Sequence, residues 1–165
     1  MKNILVAVDF SEGSERLVDQ AIELGRELQG KLYVVHVTSD SLQAAYASTQ
    51  FYDVASEYIG APSGDIELAR DLCAEEYKRE HRALLNISAR MRKNGVTAQA
   101  VLLKGDAAEL ILDKAQDLEI DLIMMGSHGH GLLRKMLVGS VTEAILRKAA
   151  CGVLVIPVMN SAPVL

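Results

Sequence analysis

Short apolar runs alternate along this chain with segments whose apolar residues recur at helical spacing, and no other feature constrains the fold as tightly. The first run, residues 3–9, reads Asn-Ile-Leu-Val-Ala-Val-Asp, apolar until the closing acid, as in a strand covered on both faces. Residues 11–14, Ser-Glu-Gly-Ser, are rich in capping groups; Leu17, Ala21, Leu24 and Leu28 then follow one helix face until Gly30 stops it. The cycle repeats with a strand over 31–37, a long segment and helix reaching Gly95, and a strand over 96–103. After Gly105, Asp106-Ala-Ala-Glu109 has capping-box spacing and opens a helix through Leu118. A strand over 120–125, a helix over 140–149 and a strand over 153–156 complete the series.

Buried strands that alternate with helices form a parallel sheet, because parallel neighbours need right-handed crossovers that lay helices on both faces. The expected fold is therefore a doubly wound, Rossmann-like α/β domain with a five-stranded parallel sheet. Alternation alone leaves the strand order open, and 3-2-1-4-5 is taken as the common arrangement. In that order strands one and four are neighbours whose following loops diverge to opposite faces, opening a crevice with Asp9 and Gly126 at its mouth. With 165 residues, half of them hydrophobic, the chain suits one domain spanning 1–165. Only residues 38–64 break the spacing; with Tyr46, Phe51, Tyr52 and Tyr58 they read as a variable surface excursion, a lid or a contact surface.

A formal net charge of −5 opposes a polyanionic partner, and no basic run interleaved with aromatics offsets it, so nucleic acid is not expected. No apolar stretch approaches the roughly 18 residues of a membrane span, and the N-terminus enters a strand pattern without a signal-peptide core, so the expectation is a soluble, cytoplasmic protein without membrane insertion. The two cysteines, Cys73 and Cys151, are too few for a disulfide framework and lack zinc or redox spacing; they read as buried or half-buried thiols.

Function is expected where the fourth strand meets the next helix, at residues 126–140, Gly-Ser-His-Gly-His-Gly-Leu-Leu-Arg-Lys-Met-Leu-Val-Gly-Ser. Gly126, Gly129 and Gly139 let a backbone turn its N–H groups toward an anion at close range, and the following helix adds free amides and a favourable dipole. Read as plain turn glycines they would carry no chemistry. Ser140 has two candidate duties, since Ser140-Val-Thr-Glu143 also has capping-box spacing. Asp9 either caps the first helix or faces the crevice. His128 and His130 lack further ligands at zinc spacing, so their amides, not their rings, are the candidate contacts. Arg134 and Lys135 either reach a terminal phosphate or are solvated, and His36 reads as a structural histidine at the end of a buried strand.

With these elements in place, the chain resembles the nucleotide-binding branch of the universal stress protein family, from Met1 to about Val158. That branch carries Gly, two residues, Gly, nine residues, then Gly with Ser or Thr; Gly126, Gly129, Gly139 and Ser140 occupy every fixed position. Val8-Asp9-Phe10-Ser11 after strand one and His36-Val37 ending strand two strengthen the likeness. The resemblance implies an adenine nucleotide alpha hydrolase-like domain that binds ATP, AMP or ADP. Phosphates would lie on the glycine-loop amides, including those of His130 and Val141, and on the Ser140 hydroxyl. Asp9 would lie near the ribose and phosphates, with Mg2+ as its metal partner when ATP is bound, and Val37 would flank the adenine. It also implies a homodimer through the last strand, about 153–158. Gly152 stands where members often carry proline, which bears on the entry of that strand and not on the nucleotide site.

The resulting expectation is a regulatory or stress-response nucleotide sensor acting through conformation or an unidentified protein partner, with at most slow ATP hydrolysis or autophosphorylation. The Walker pattern is absent. A nucleotide-independent dimeric interaction module is the alternative. An ATP-dependent adenylating enzyme fits less well, because its Ser-Gly-Gly-x-Asp-Ser loop is replaced here by residues 10–14, Phe-Ser-Glu-Gly-Ser.

Overall fold

The computed structural model describes residues 1–11, 13–38, 65–127 and 139–157, and of residues 65–70 the helical backbone alone. In chain order these form β1 (Asn3–Ala7), α1 (Ser14–Glu27), β2 (Lys31–Thr38), α2 (Asp65–Lys93), β3 (Thr97–Lys104), α3 (Ala107–Asp117), β4 (Leu122–Gly126), α4 (Ser140–Lys148) and β5 (Gly152–Ile156). All strand pairs are parallel and the order is β3-β2-β1-β4-β5, as expected. Element boundaries shift by one or two residues from the sequence reading. The expected excursion at 38–64 lies outside the described residues except for Thr38.

The apolar run of β1 is explained by its central place. Ile4, Leu5 and Val6 are all 0% exposed, since strands on either side satisfy the backbone and helices cover both faces. Alternate side chains divide into two layers. Ile4, Val6, Val8, Val34 and Met124 pack with Leu17, Val18 and Ala21 of α1 and Leu84 and Met91 of α2. Leu5, Val35, Ile123 and Met125 pack instead with Ile111 of α3 and Ile145 of α4.

Gly30 ends α1 for a reason the sequence did not show. The left-handed residue is Gln29, with φ 47°, while a Cβ at Gly30 would sit 3.1 Å from the carbonyl oxygen of Lys2. Close approach to β1, not backbone conformation, therefore calls for glycine there. At α3 the predicted cap forms: Asp106 Oδ1 accepts from the Glu109 amide at 2.9 Å.

Helix α2 has 29 residues, about 43 Å at 1.5 Å per residue. It is longer than β2, whose 8 residues span about 26 Å. Glu80 of α2 lies beside His36 near the C-terminal end of β2, so the residues before Glu80 run past the sheet on the side where β1 and β4 end. At the outer edge, β5 exposes 37% of Leu154 and leaves Val153 and Val155 only partly buried. Cys73 and Cys151 are partly buried, as expected, and burial pushes the Cys151 thiol up from its ordinary pKa.

Candidate functional site

The C-terminal ends of β1 and β4 lie side by side, with Ala7 in register with Met125. From this point the chain after β1 enters α1 on one face, and the chain after β4 reaches α4 on the other. Asp9 and Gly126 thus flank the crevice at the point where strand order reverses.

Asp9 organises its own side of the crevice. Its Oδ1 accepts from the Ser11 amide at 3.0 Å, the Ser11 hydroxyl at 2.6 Å and the Ser14 hydroxyl at 3.0 Å. The first contact is an Asx turn, in which a carboxylate binds the backbone two residues on, and the last ties it to the first residue of α1. The capping duty weighed for Asp9 is not met, since Gly13 is the N-cap of α1 and has no side-chain cap bond; Asp9 instead braces the turn into the helix through the two serine hydroxyls. Phe10 between the two has φ 58°, a left-handed backbone uncommon for a bulky side chain.

On the other side, the chain leaves β4 at Ser127 and returns at Gly139, whose amide donates to the Ser127 carbonyl at 2.8 Å. Ser127 in turn donates its amide to Ile156 at 2.9 Å, anchoring the exit to β5. The Thr142 hydroxyl donates to the Gly126 carbonyl at 3.0 Å, fixing the first turn of α4 against the end of β4. Gly139 is the N-cap of α4, and its carbonyl accepts the first helical bond, from Glu143. The amides of Ser140, Val141 and Thr142 precede that bond and have no acceptor within the helix. These three donors and the positive end of the helix dipole lie at the start of α4, a setting that suits an anion.

Two expectations change here. Ser140 is not the N-cap: Gly139 is, with no side-chain cap bond, so the anticipated Ser140–Glu143 box is one residue out of register. Glu143 pairs instead with Arg147 at 2.7 Å, and Ser140 is left exposed at the helix start. Gly139 itself has φ −71° and ψ 157°, a conformation open to any residue, so positive φ is not what calls for glycine at this position.

The structure places Asp9 just after β1 and Gly126 at the end of the neighbouring β4, with Gly139, Ser140 and Val141 at the start of α4 and Val37 on β2, on the other side of β1. Val37 and Val141 are both partly buried against the same layer, on the α3 and α4 face. Gly129 and His130, with His128, Arg134 and Lys135, lie outside the described residues. Among the described residues no group of three or more His, Cys, Asp and Glu side chains could hold a metal. A lone carboxylate such as Asp9 still fits Mg2+, which takes most of its ligands from water and substrate phosphates. No described helix is long and apolar enough to cross a membrane.

The sequence reading missed Thr142, 3% exposed, whose hydroxyl couples helix to strand. Its place on the first turn of α4 was the available signal. Thr142→Val keeps the shape and removes the donor, so it is expected to cost about 1 kcal/mol in urea denaturation. Thr142→Ser should recover most of that loss; a valine variant as stable as wild type would show that the bond contributes nothing.

The universal stress protein family is matched over residues 1–157. A curated relative, universal stress protein A homolog 2 of Coxiella burnetii, is 33% identical over 167 residues, covering 97% of this chain and 97% of its own length. Among solved structures, that of the protein MJ0577 superposes with a TM-score of 0.75 at 25% identity, covering 97% and 98% of the two chains. A universal stress protein from Archaeoglobus fulgidus in complex with dAMP gives a TM-score of 0.58 at 21% identity over 94% and 97% of the two chains. With its sheet order, its α4 N-terminus at the strand reversal and a family match spanning nearly its whole length, the chain belongs to the universal stress protein family.

Proposed function

We propose that this chain binds an adenine nucleotide, ATP or AMP, between β1 and β4 and serves as a stress-response sensor whose occupancy shifts conformation or partner affinity. The observation that carries this reading is the start of α4. Natural N-caps favour Ser, Thr, Asp or Asn, and Gly139 stands in a conformation that would accept any of them. Glycine there leaves the first-turn amides uncovered by a capping side chain, which is useful where a phosphate must approach them. The dAMP complex of the related Archaeoglobus fulgidus protein supports the same ligand class.

In this reading phosphate oxygens take the amides of Ser140 and Val141 and the exposed Ser140 hydroxyl, together with backbone groups of Gly129 and His130. Gly126 keeps the end of β4 bare, and Val37 and Val141 offer apolar surface to the base. Asp9, already oriented by Ser11 and Ser14, faces the ribose or a Mg2+ ion. That ion would supply charge neutralisation to the phosphates of ATP. A homodimer through β5 would cover Leu154 and the outer edge of the sheet.

Small molecules released by denaturing natively purified protein, identified by mass spectrometry, test the reading, followed by ATP titration with and without Mg2+. An adenine nucleotide near stoichiometry, or ATP binding that Mg2+ strengthens in wild type but not in Asp9→Asn, is the expected result. A protein that is empty as purified and ignores ATP and AMP would instead favour an interaction module working through its dimer.

A further inference from the structure

His36 joins the strand end beneath the crevice to helix α2. Its Nδ1 lies 2.8 Å from the Val8 carbonyl oxygen. A carbonyl only accepts, so Nδ1 carries the hydrogen and donates it. The imidazole packs against the Phe10 ring, with centroids 4.3 Å apart and planes inclined at 42°. On its far side Nε2 lies 3.5 Å from Glu80 Oε1, with the two side chains only 10% and 16% exposed. One imidazole therefore touches both residues that flank Asp9, while the Glu80 carboxylate of α2 lies against the opposite edge of the ring without a hydrogen bond, an ion pair only with a protonated imidazole.

The backbone these contacts surround is strained. Phe10 keeps φ at 58°, which for a bulky residue persists only where its surroundings require it. The turn made by Asp9, Ser11 and Ser14 is built on that conformation.

We infer that Glu80 and His36 are positioning residues for the nucleotide corner: Glu80 orients the imidazole, and the imidazole holds Val8 and Phe10 so that Asp9 is presented at the crevice. This inference rests on the functional reading above. A carboxylate that fixes a histidine, which in turn fixes a ligand-binding group, recurs in sites where outer contacts set inner geometry. The arrangement also couples α2 to the site, since an α2 displacement that withdraws Glu80 loosens the corner holding Asp9. Nothing in the glycine-loop motif of residues 126–140 points to a glutamate on α2.

Full-length wild type, Glu80→Gln and His36→Asn test the inference. Glutamine keeps the size of Glu80 without its charge; asparagine can still donate to Val8 but cannot reach Glu80. Two readouts are needed: ATP affinity in the presence of Mg2+, and the NMR coupling constant and shifts of the Phe10 backbone without nucleotide. Both variants are expected to weaken ATP binding roughly tenfold and to move the Phe10 signals away from the left-handed pattern. Glycine adopts that conformation freely, so adding Glu80→Gln to Phe10→Gly should weaken binding by less than Glu80→Gln does alone. A purely structural role would give no such non-additivity.

Unchanged Phe10 signals and unchanged affinity in both variants would overturn the inference, as would an effect of Glu80→Gln that is equal with and without Phe10→Gly. If wild type binds no adenine nucleotide, the functional reading fails by itself. The Phe10 signals then decide whether the clamp exists, with movement in Glu80→Gln upholding it and no movement overturning it.

Discussion

Replacing Gly139 with valine is expected to weaken adenine-nucleotide binding at least a hundredfold, roughly 2.7 kcal/mol, while the protein stays folded. The backbone at 139 lies at φ −71° and ψ 157°, a region valine occupies readily, so the substitution introduces little strain. Valine is a poorer N-cap than glycine, but that penalty should remain within about 1 kcal/mol. What changes is access. A branched side chain projects at the start of α4, where a phosphate must come within hydrogen-bond distance of the Ser140 and Val141 amides. Gly126→Val should act similarly from the end of β4, since an extended strand end tolerates a β-branched residue. Calorimetric titration with ATP and AMP, beside urea denaturation, separates the two effects. Wild-type affinity in both variants would remove the glycine loop from the site.

The second large effect expected is on the platform that carries those amides. Ile145 is 0% exposed and packs in the layer formed by Leu5, Val35, Ile123 and Met125. It anchors α4 to the sheet from one side, while Thr142 anchors the first turn. Ile145→Ala removes buried carbon from a packed layer and should lower stability by about 2–5 kcal/mol, read from the urea midpoint. Nucleotide affinity should fall as well, because the helix N-terminus is placed by this packing. Dispersion contacts and burial are lost together, so a loss under about 1 kcal/mol would mean that the layer had collapsed around the gap, or that α4 is held elsewhere.

The two substitutions test different links. Gly139→Val leaves the platform intact and obstructs the ligand; Ile145→Ala leaves the mouth open and loosens the platform. Only the second should move the unfolding transition by several kcal/mol.

Much of this arrangement was legible in the order of residues. The apolar runs read as strands at 3–9, 31–37, 96–103, 120–125 and 153–156 each overlap a strand, because such runs can be buried on both faces inside a sheet covered by helices. The capping signal at Asp106 was correct because its carboxylate and its target amide are three residues apart, within reach of local geometry. Gly126 and Gly139 could be singled out by spacing alone. The same local reasoning misplaced the cap: Gly139, not Ser140, is the N-cap of the helix that begins at Ser140, and the register of a helix start is set by where the incoming chain is held. Here that hold is the bond from the Gly139 amide to Ser127, on the far side of the loop.

The sequence by itself determined the alternation of strand and helix, hence the parallel doubly wound class, and it marked the glycine loop, because periodicity and glycine spacing report on neighbours along the chain. The tertiary structure alone decided which strands are neighbours, and so that Asp9 and Gly126 share a crevice although more than a hundred residues separate them. It alone decided that Gly30 is crowded by the Lys2 carbonyl just before β1, that Thr142 ties α4 to Gly126, and that Glu80 meets His36. Such contacts depend on distances across a folded sheet, and a linear pattern carries no record of a distance until the chain has closed on itself.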